Sequence, residues 1–450
     1  METEIHNWGK DIYSYPSVVT QPNSVDEIIK IVKDTQQYPS PVKAVGSNHS
    51  TSHCAVSDQG TLVDMTKLNK IIKITADTVT TQAGALYLDV NQALEKEGKQ
   101  FYVNLELGNL SMGSACTCGT KDASMPGEAG QVCSYASVIK VVSASGELLE
   151  FNEDDLELLR FARSSYGMIG IVYEVTFKIH QLKPMTVYHE NYTLDSFLAC
   201  LPELVKRQQS IMLYMFPHED KVTVEFRHYH EGSTFSRRYV WRLRNWTWVR
   251  LTPLLGWFVT KYIPWPSMRY FCLKMYNKIQ RMVLRFILHG KNTSASAQMI
   301  RYPNTSGRSG YTFSIWTFAE DKYPDILRGY FQFCKEYYRK HNYRCDMLNV
   351  GYRVEQDQAS LLSYSVDSTV LTLDPVSTGS PGWNEFLRAY NHYCSEQGGI
   401  PLFNQTKWLT PKQARKAFGD RIDIVKTKVQ QYDPHGRFLN EFFRERIFDS

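Results

Sequence analysis

The chain has 450 residues, 43% of them apolar and 22% charged, enough for more than one folded core. Its formal net charge of +5 is too small to imply nucleic-acid binding, and no run reaches the ~18 consecutive apolar residues of a spanning helix. Nine cysteines without a C-x-x-C pair read as free thiols of a reducing compartment, and no metal site is expected. The polar stretch 1–10 lacks the apolar core of a secretion signal, so the expected location is cytoplasmic, with peripheral membrane contact as a second option.

Taken in order, Ser24 and Glu27 give a capping-box signature ahead of Ile28, Ile29, Ile31 and Val32, predicting a helix. A strand at 42–45 then delivers the loop Gly46-Ser47-Asn48-His49-Ser50. Its glycine permits a tight turn, its amides can form an anion nest, and its serines add donors. The histidine adds a nucleophilic nitrogen. A phosphate cradle beside a nucleophile points to a phosphorylated cofactor, although a lone histidine in a turn is more commonly an ordinary surface residue.

Short β-rich runs follow at 61–65, 71–74 and 78–84, then a helix at 86–96 with Gly98 as its stop signal. This rhythm predicts α+β layering rather than a doubly wound parallel sheet. A second small-residue stretch, 110–120, contains Gly113, Ser114, Cys118, Gly119 and Thr120 and no charge. Such a stretch suits a place where two backbones, or a backbone and a flat ligand, meet closely. Cys116 and Cys118 read as small buried hydrophobes rather than metal ligands. Runs 136–142 and 148–151 read as a hairpin. A third stretch, 164–170, leads into a long strand beginning at Ile171 and Val172. Gly167 and Gly170 precede a strand instead of opening a helix, which excludes a Rossmann fingerprint.

Segment 237–291 carries 12 Lys or Arg, no Asp or Glu, and five of the nine tryptophans. Basic heads among Trp and Leu fit a helix lying in a membrane interface. Pro253, Pro264 and Pro266 break the pattern and favour a helical excursion packed on its own domain. Beyond it, strands are expected at 311–316, 347–354 and 368–373, and helices at 324–338, 383–394 and from Pro411. Asp433-Pro434-His435-Gly436 reads as a turn.

The ordered set of three glycine loops with a histidine in the first resembles the vanillyl-alcohol-oxidase type of FAD-linked oxidase. Within it, the chain is most similar to the aldonolactone and alditol oxidases. The motifs run nearly end to end: Val45-Gly46-x-x-His49-Ser50, Gly113, Gly119-Thr120, Gly167-x-x-Gly170-Ile171-Val172, Trp316-Thr317-Phe318-Ala319-Glu320 and Asp433-Pro434-x-Gly436-x-Phe438-Leu439-Asn440. The resemblance implies an α+β chain. Its two-lobed FAD-binding domain would span 1–182, with lobes of about 1–75 and 76–182. A cap of antiparallel sheet and helices would span 183–400, and 401–450 would return to the FAD domain. It implies FAD bonded covalently through His49 and held by Val45, Gly46, Ser47, Asn48, Ser50, Gly113, Ser114, Cys118, Gly119, Thr120, Gly167, Gly170, Ile171 and Val172. A noncovalent contact from His49 is the alternative.

Departures from the family pattern bear on the substrate. The second loop has Lys121 where the family carries a histidine. The family's Glu-x-Arg pair aligns with Gly351-Tyr352-Arg353, which retains only the arginine. The family's Pro-His-Trp-Gly-Lys motif resembles 401–407, with Lys407, displaced by two positions, as the counterpart of its lysine and Leu402 and Phe403 in place of the histidine and tryptophan. The expected reaction is therefore hydride removal from an alcohol or amine less polar than a sugar lactone, with O2 as acceptor and H2O2 as product. Lys407 and Arg353 are candidates for holding charge at the flavin, and Tyr352 and Glu320 for the proton. A quinone-linked dehydrogenase at a membrane surface and a flavin-free binding protein are the competing readings.

Overall fold

The computed structural model describes residues 3–232, 238–288, 290–303 and 310–449. The first helix, Val25–Lys33, is capped by Ser24, whose side chain accepts from the Glu27 amide, and it buries Ile28, Ile31 and Val32. The Glu27 carboxylate accepts from the Asn23 amide at 2.7 Å, one residue before the cap. Strands Val18–Thr20, Thr61–Asp64 and Val42–Val45 form a small parallel sheet with Thr61–Asp64 at its centre.

A six-stranded antiparallel sheet follows, built on the long strand Ile171–Gln181. Ala136–Val142 lies on one side of that strand and Thr78–Gln82 on the other, with Lys99–Phe101 pairing its far end. Gly170 makes this arrangement sterically possible. A Cβ there would lie 2.3 Å from the Val142 carbonyl oxygen, and its φ of +150° is one that side chains rarely adopt. Gly170→Ala is expected to cost about 3 kcal/mol, read as a lower denaturation midpoint with unchanged slope.

The largest sheet has eight antiparallel strands, among them Met185–Thr193, Lys221–Tyr229, Ser210–Phe216, Asn349–Val354, Val370–Leu373 and Trp316–Ala319 in spatial order. The α+β architecture and the antiparallel sheets agree with the sequence reading. One element differs. The strand expected at 311–316 is two short pieces, Thr312–Phe313 and Trp316–Ala319, in different sheets. Their partners are Val376–Ser377 and Val370–Leu373, which are interrupted by Asp374 and Pro375. Proline has no N–H to continue a ladder, so the pairing breaks there. Asp374 is held at the break by two 2.9 Å backbone bonds with Val350.

The last residues pack back on the first. The Val42 amide bonds the Arg437 carbonyl at 2.8 Å, and the Arg437 guanidinium donates to the Ile31 and Val32 carbonyls. Asn440 donates to the carbonyls of His53, Cys54 and Val56. Segment 237–291 forms helices Arg238–Trp246, Thr252–Tyr262 and Pro266–Val283. Part of it packs on the protein as the prolines suggest. Trp241 is fully buried beside Val187, Val240 and Leu288.

Candidate active site

The three small-residue stretches come together. The Gly46 backbone lies so close to Ser111 that a Cβ would sit 2.3 Å from its Oγ. Gly113 lies at the start of the short helix Met112–Thr117, packed on Ala83. Ser111 donates to Ser114 at 3.1 Å. Tyr166 joins this helix to the third stretch, its amide bonding the Thr117 carbonyl and its hydroxyl accepting from the Gly119 amide at 3.3 Å. Buried Lys43 donates to the Tyr166 and Phe438 carbonyls and lies 3.9 Å from where a Gly167 Cβ would stand. Cys118 is half-buried against the core, and desolvation pushes its thiol well up, consistent with an inert packing residue.

His49 ends the first stretch. Its ring stacks on Trp8 at 5.2 Å and meets Tyr302 edge-on at 5.6 Å. Burial pushes the imidazole down to about 3, so it is neutral at ordinary pH. Its Nε2 is buried with no hydrogen-bond partner among the described residues, as is the Thr51 hydroxyl.

From His49 a cavity of about 450 Å³ runs toward the three helices of segment 237–291. Thr120, Lys121 and Gln405 line it together with His49. Its far walls are largely apolar, including Leu243, Trp248, Ile279, Val283 and Leu284. Polar side chains such as Glu106, Arg244, Thr252 and Gln280 are spread through the lining, and one wall carries a buried ion pair. There the Lys121 ammonium donates to Asp374 Oδ2 at 2.9 Å, and both side chains are at most 5% exposed. Lys121 Nζ also lies 3.6 Å from the centre of the Tyr352 ring. The other carboxylate oxygen of Asp374 has no hydrogen-bond partner among the described residues. Burial raises the Asp374 carboxyl, an effect that Lys121 and the Thr372 side chain oppose, and burial lowers the Lys121 ammonium.

Behind this wall, Arg227 bonds Asp122 at 2.9 Å and Glu225 at 2.7 Å, and Glu225 accepts from Tyr214 at 2.9 Å and contacts His189 at the same distance. Burial alone would raise Glu225, but Arg227 and the His189 hydrogen bond hold it well below the usual carboxylate range. These buried charges are mutually paired, the condition under which they fix a wall's shape.

Of the four residues expected to do chemistry, Tyr352 lines the cavity and the others do not. Strand alternation is the reason. Val350 and Tyr352 face the cavity, so Gly351 and Arg353 face away. A Cβ at Gly351 would meet the Thr372 carbonyl at 2.7 Å, leaving no space for a glutamate. Arg353 instead pairs with Glu320 and, at 2.6 Å, with Glu355, so Glu320 is occupied there too. Lys407 donates to the Asp11 carbonyl at 2.9 Å and its carboxylate at 3.1 Å. Arg353→Ala is expected to leave turnover within about threefold and to lower stability by about 1–2 kcal/mol, read from denaturant melts alongside initial rates.

Lys121 was visible in the sequence as a departure from the family's histidine. Asp374 had no such signal. Its place at the break beside Pro375 depends on pairing between distant strands.

The site suits FAD on the structure's own terms. Neutral His49 offers an unpartnered nitrogen, and the amides of Ser47, Asn48, His49 and Ser50 meet no acceptor among the described residues. Asn48 has φ +52°, as an anion nest requires at alternate positions.

Residues 16–152 match the family described as FAD binding domain. L-gulonolactone oxidase of Bos taurus is 24% identical over 460 residues, covering 99% of this chain and 98% of its own length. D-arabinono-1,4-lactone oxidase of Candida glabrata is 29% identical over 226 residues, 48% of this chain and 42% of its own. Among solved structures, a mutant cholesterol oxidase from Brevibacterium sterolicum superposes with a TM-score of 0.79 at 15% identity, covering 99% and 97% of the two chains, a likeness of fold.

Proposed function

We propose that this chain, an FAD-dependent oxidoreductase of the aldonolactone-oxidase type, oxidises a bulky, largely apolar alcohol to its carbonyl compound and passes the electrons to O2. The balance is one alcohol and one O2 to one carbonyl and one H2O2, two electrons and two protons leaving the substrate. The observation that carries the substrate class is the cavity, whose lining is mostly apolar. A sugar lactone would leave several hydroxyls facing apolar walls without partners, at about 1–3 kcal/mol each.

FAD, when bound, supplies the two-electron acceptor. His49 would carry it covalently, because an unprotonated imidazole with a free nitrogen lone pair is nucleophilic. The loop 46–50 would cradle its phosphates, and the 112–120 and 167–172 stretches would hold its remainder by close backbone approach.

Asp374 takes the hydroxyl proton through its unpartnered oxygen. A carboxyl raised by burial is a stronger proton acceptor than an exposed one. Lys121 orients Asp374 and offsets negative charge growing on the substrate oxygen. Tyr352 covers Lys121 and, with the apolar walls, keeps water from the pair. O2 as acceptor is supported by the relatives named oxidases.

The test is an anaerobic screen of amphiphilic alcohols against sugar lactones, followed by loss of flavin absorbance. Bleaching by the alcohols at concentrations at least about tenfold lower is expected. Preference for the lactones would overturn the substrate class, and absence of peroxide on admitting air would overturn O2 as acceptor.

A further inference from the structure

The three helices of segment 237–291 carry apolar rows that nothing among the described residues covers. On Pro266–Val283, Met268, Phe271, Met275, Ile279 and Met282 recur every three or four residues, and Phe286 extends the row. All six are between 42% and 73% exposed, while the helix buries Tyr270 and Leu273 on its other side. Thr252–Tyr262 exposes Leu254, Phe258 and Tyr262 at the same spacing, and Arg238–Trp246 exposes Tyr239, Leu243 and Trp246. With Trp265 these make thirteen exposed large hydrophobics between Tyr239 and Phe286, against eight in the rest of the described chain. That density marks an interaction surface rather than scattered surface residues.

The charge around it has one sign. Arg242, Arg250, Lys274, Lys278 and Arg285 are exposed and meet no acid among the described residues. The face is also continuous with the cavity, because Leu243, Trp246 and Ile279 are more than half exposed and yet line it.

We propose that this face seats on the surface of an anionic phospholipid bilayer, and that the substrate passes from the lipid into the cavity between these helices. The lipid-to-cavity step rests on the alcohol-oxidation reading, whereas the docking does not. Basic heads ringing aromatic, Leu and Met side chains match lipid phosphates above acyl chains. No helix among the described residues is long and apolar enough to cross a membrane, so these lie in the plane of the interface. A second copy fits poorly as the occupant. A symmetric pair would oppose two all-basic faces without an acid between them and would close the mouth of the cavity. Docking the mouth against lipid keeps an apolar substrate out of water throughout its transfer.

The test uses holoprotein and sedimentation with vesicles of phosphatidylcholine alone or with phosphatidylserine. Binding to the anionic vesicles is expected, falling at least about tenfold between low and high salt. Lys274→Glu with Lys278→Glu should abolish that preference. Phe271→Ser with Met275→Ser, neither of which lines the cavity, should lower partition about tenfold or more on both vesicle types, with thermal melts unchanged. Failure to sediment at low salt, equal binding to both vesicle types, or a doubled mass in solution that the serine variant abolishes would each overturn the docking. For the access route, vesicles carrying a pyrene-labelled fatty alcohol should quench tryptophan fluorescence in wild type and about tenfold less in the serine variant. Docking without quenching would overturn the route alone. Docking with quenching but no flavin bleaching by any alcohol would overturn the oxidation reading and leave the docking standing.

Discussion

Asp374→Asn is expected to lower kcat by about 10²–10⁴-fold, the range spanned by general-base contributions. Asparagine keeps the shape and the backbone bonds with Val350 but cannot take a proton. KM should change by less than about threefold, because the amide still occupies the same wall. In wild type, kcat/KM should rise with pH through an ascending limb above the ordinary carboxylate value of 3.8, since burial raises this group. The variant should lose that limb. Its weakness as a control is Lys121, left beside a neutral partner in a buried place, which by itself destabilises by about 3–5 kcal/mol. Lys121→Met with Asp374→Asn removes both charges and keeps the test meaningful if the single variant folds poorly. A turnover within tenfold of wild type in the folded double variant would overturn the role of Asp374.

His49→Ala is expected to abolish covalent flavin. Acid-precipitated wild-type protein should retain flavin fluorescence on the polypeptide, and the variant none, its yellow colour washing out on extended dialysis. The nitrogen that makes this expectation is neutral, buried and without a partner, with its ring oriented by Trp8 and Tyr302. Trp8→Phe keeps a stacking ring and should retain attachment, which separates loss of the nucleophile from loss of its orientation. Release of all flavin from acid-treated wild type would show that His49 makes only a noncovalent contact.

Tyr352 and Arg353 are neighbours in sequence that the strand places on opposite faces. Both were candidates because they fall in a family motif, but a strand sends neighbours to opposite faces, and only the pairing of Asn349–Val354 with its neighbours fixes which face is which. A one-residue difference in alignment therefore moves a charged group from the cavity to the outer side of the sheet. Lys407 is a related case, since its ammonium is bound by Asp11, nearly four hundred residues away. In segment 237–291, Trp241 packs inward as the helical excursion required, while Met268, Phe271, Met275, Ile279, Met282 and Phe286 are exposed.

The sequence by itself determined the cofactor class, the α+β architecture and the presence of a basic, tryptophan-rich segment. Those properties sit in patterns along the chain: three glycine loops whose order resembles a flavin-linked family, periods of two and 3.6, and a run of one charge. Tertiary structure alone decided the polar wall. Lys121 and Asp374 are more than 250 positions apart, and Pro375 acts only where two strands try to pair past it. It also decided that apolar residues of these helices stay exposed among the described residues, Leu243, Trp246 and Ile279 at the cavity. Long-range pairing and burial set such relations, because the charge or hydrophobicity of a residue has direction only once the backbone around it is fixed.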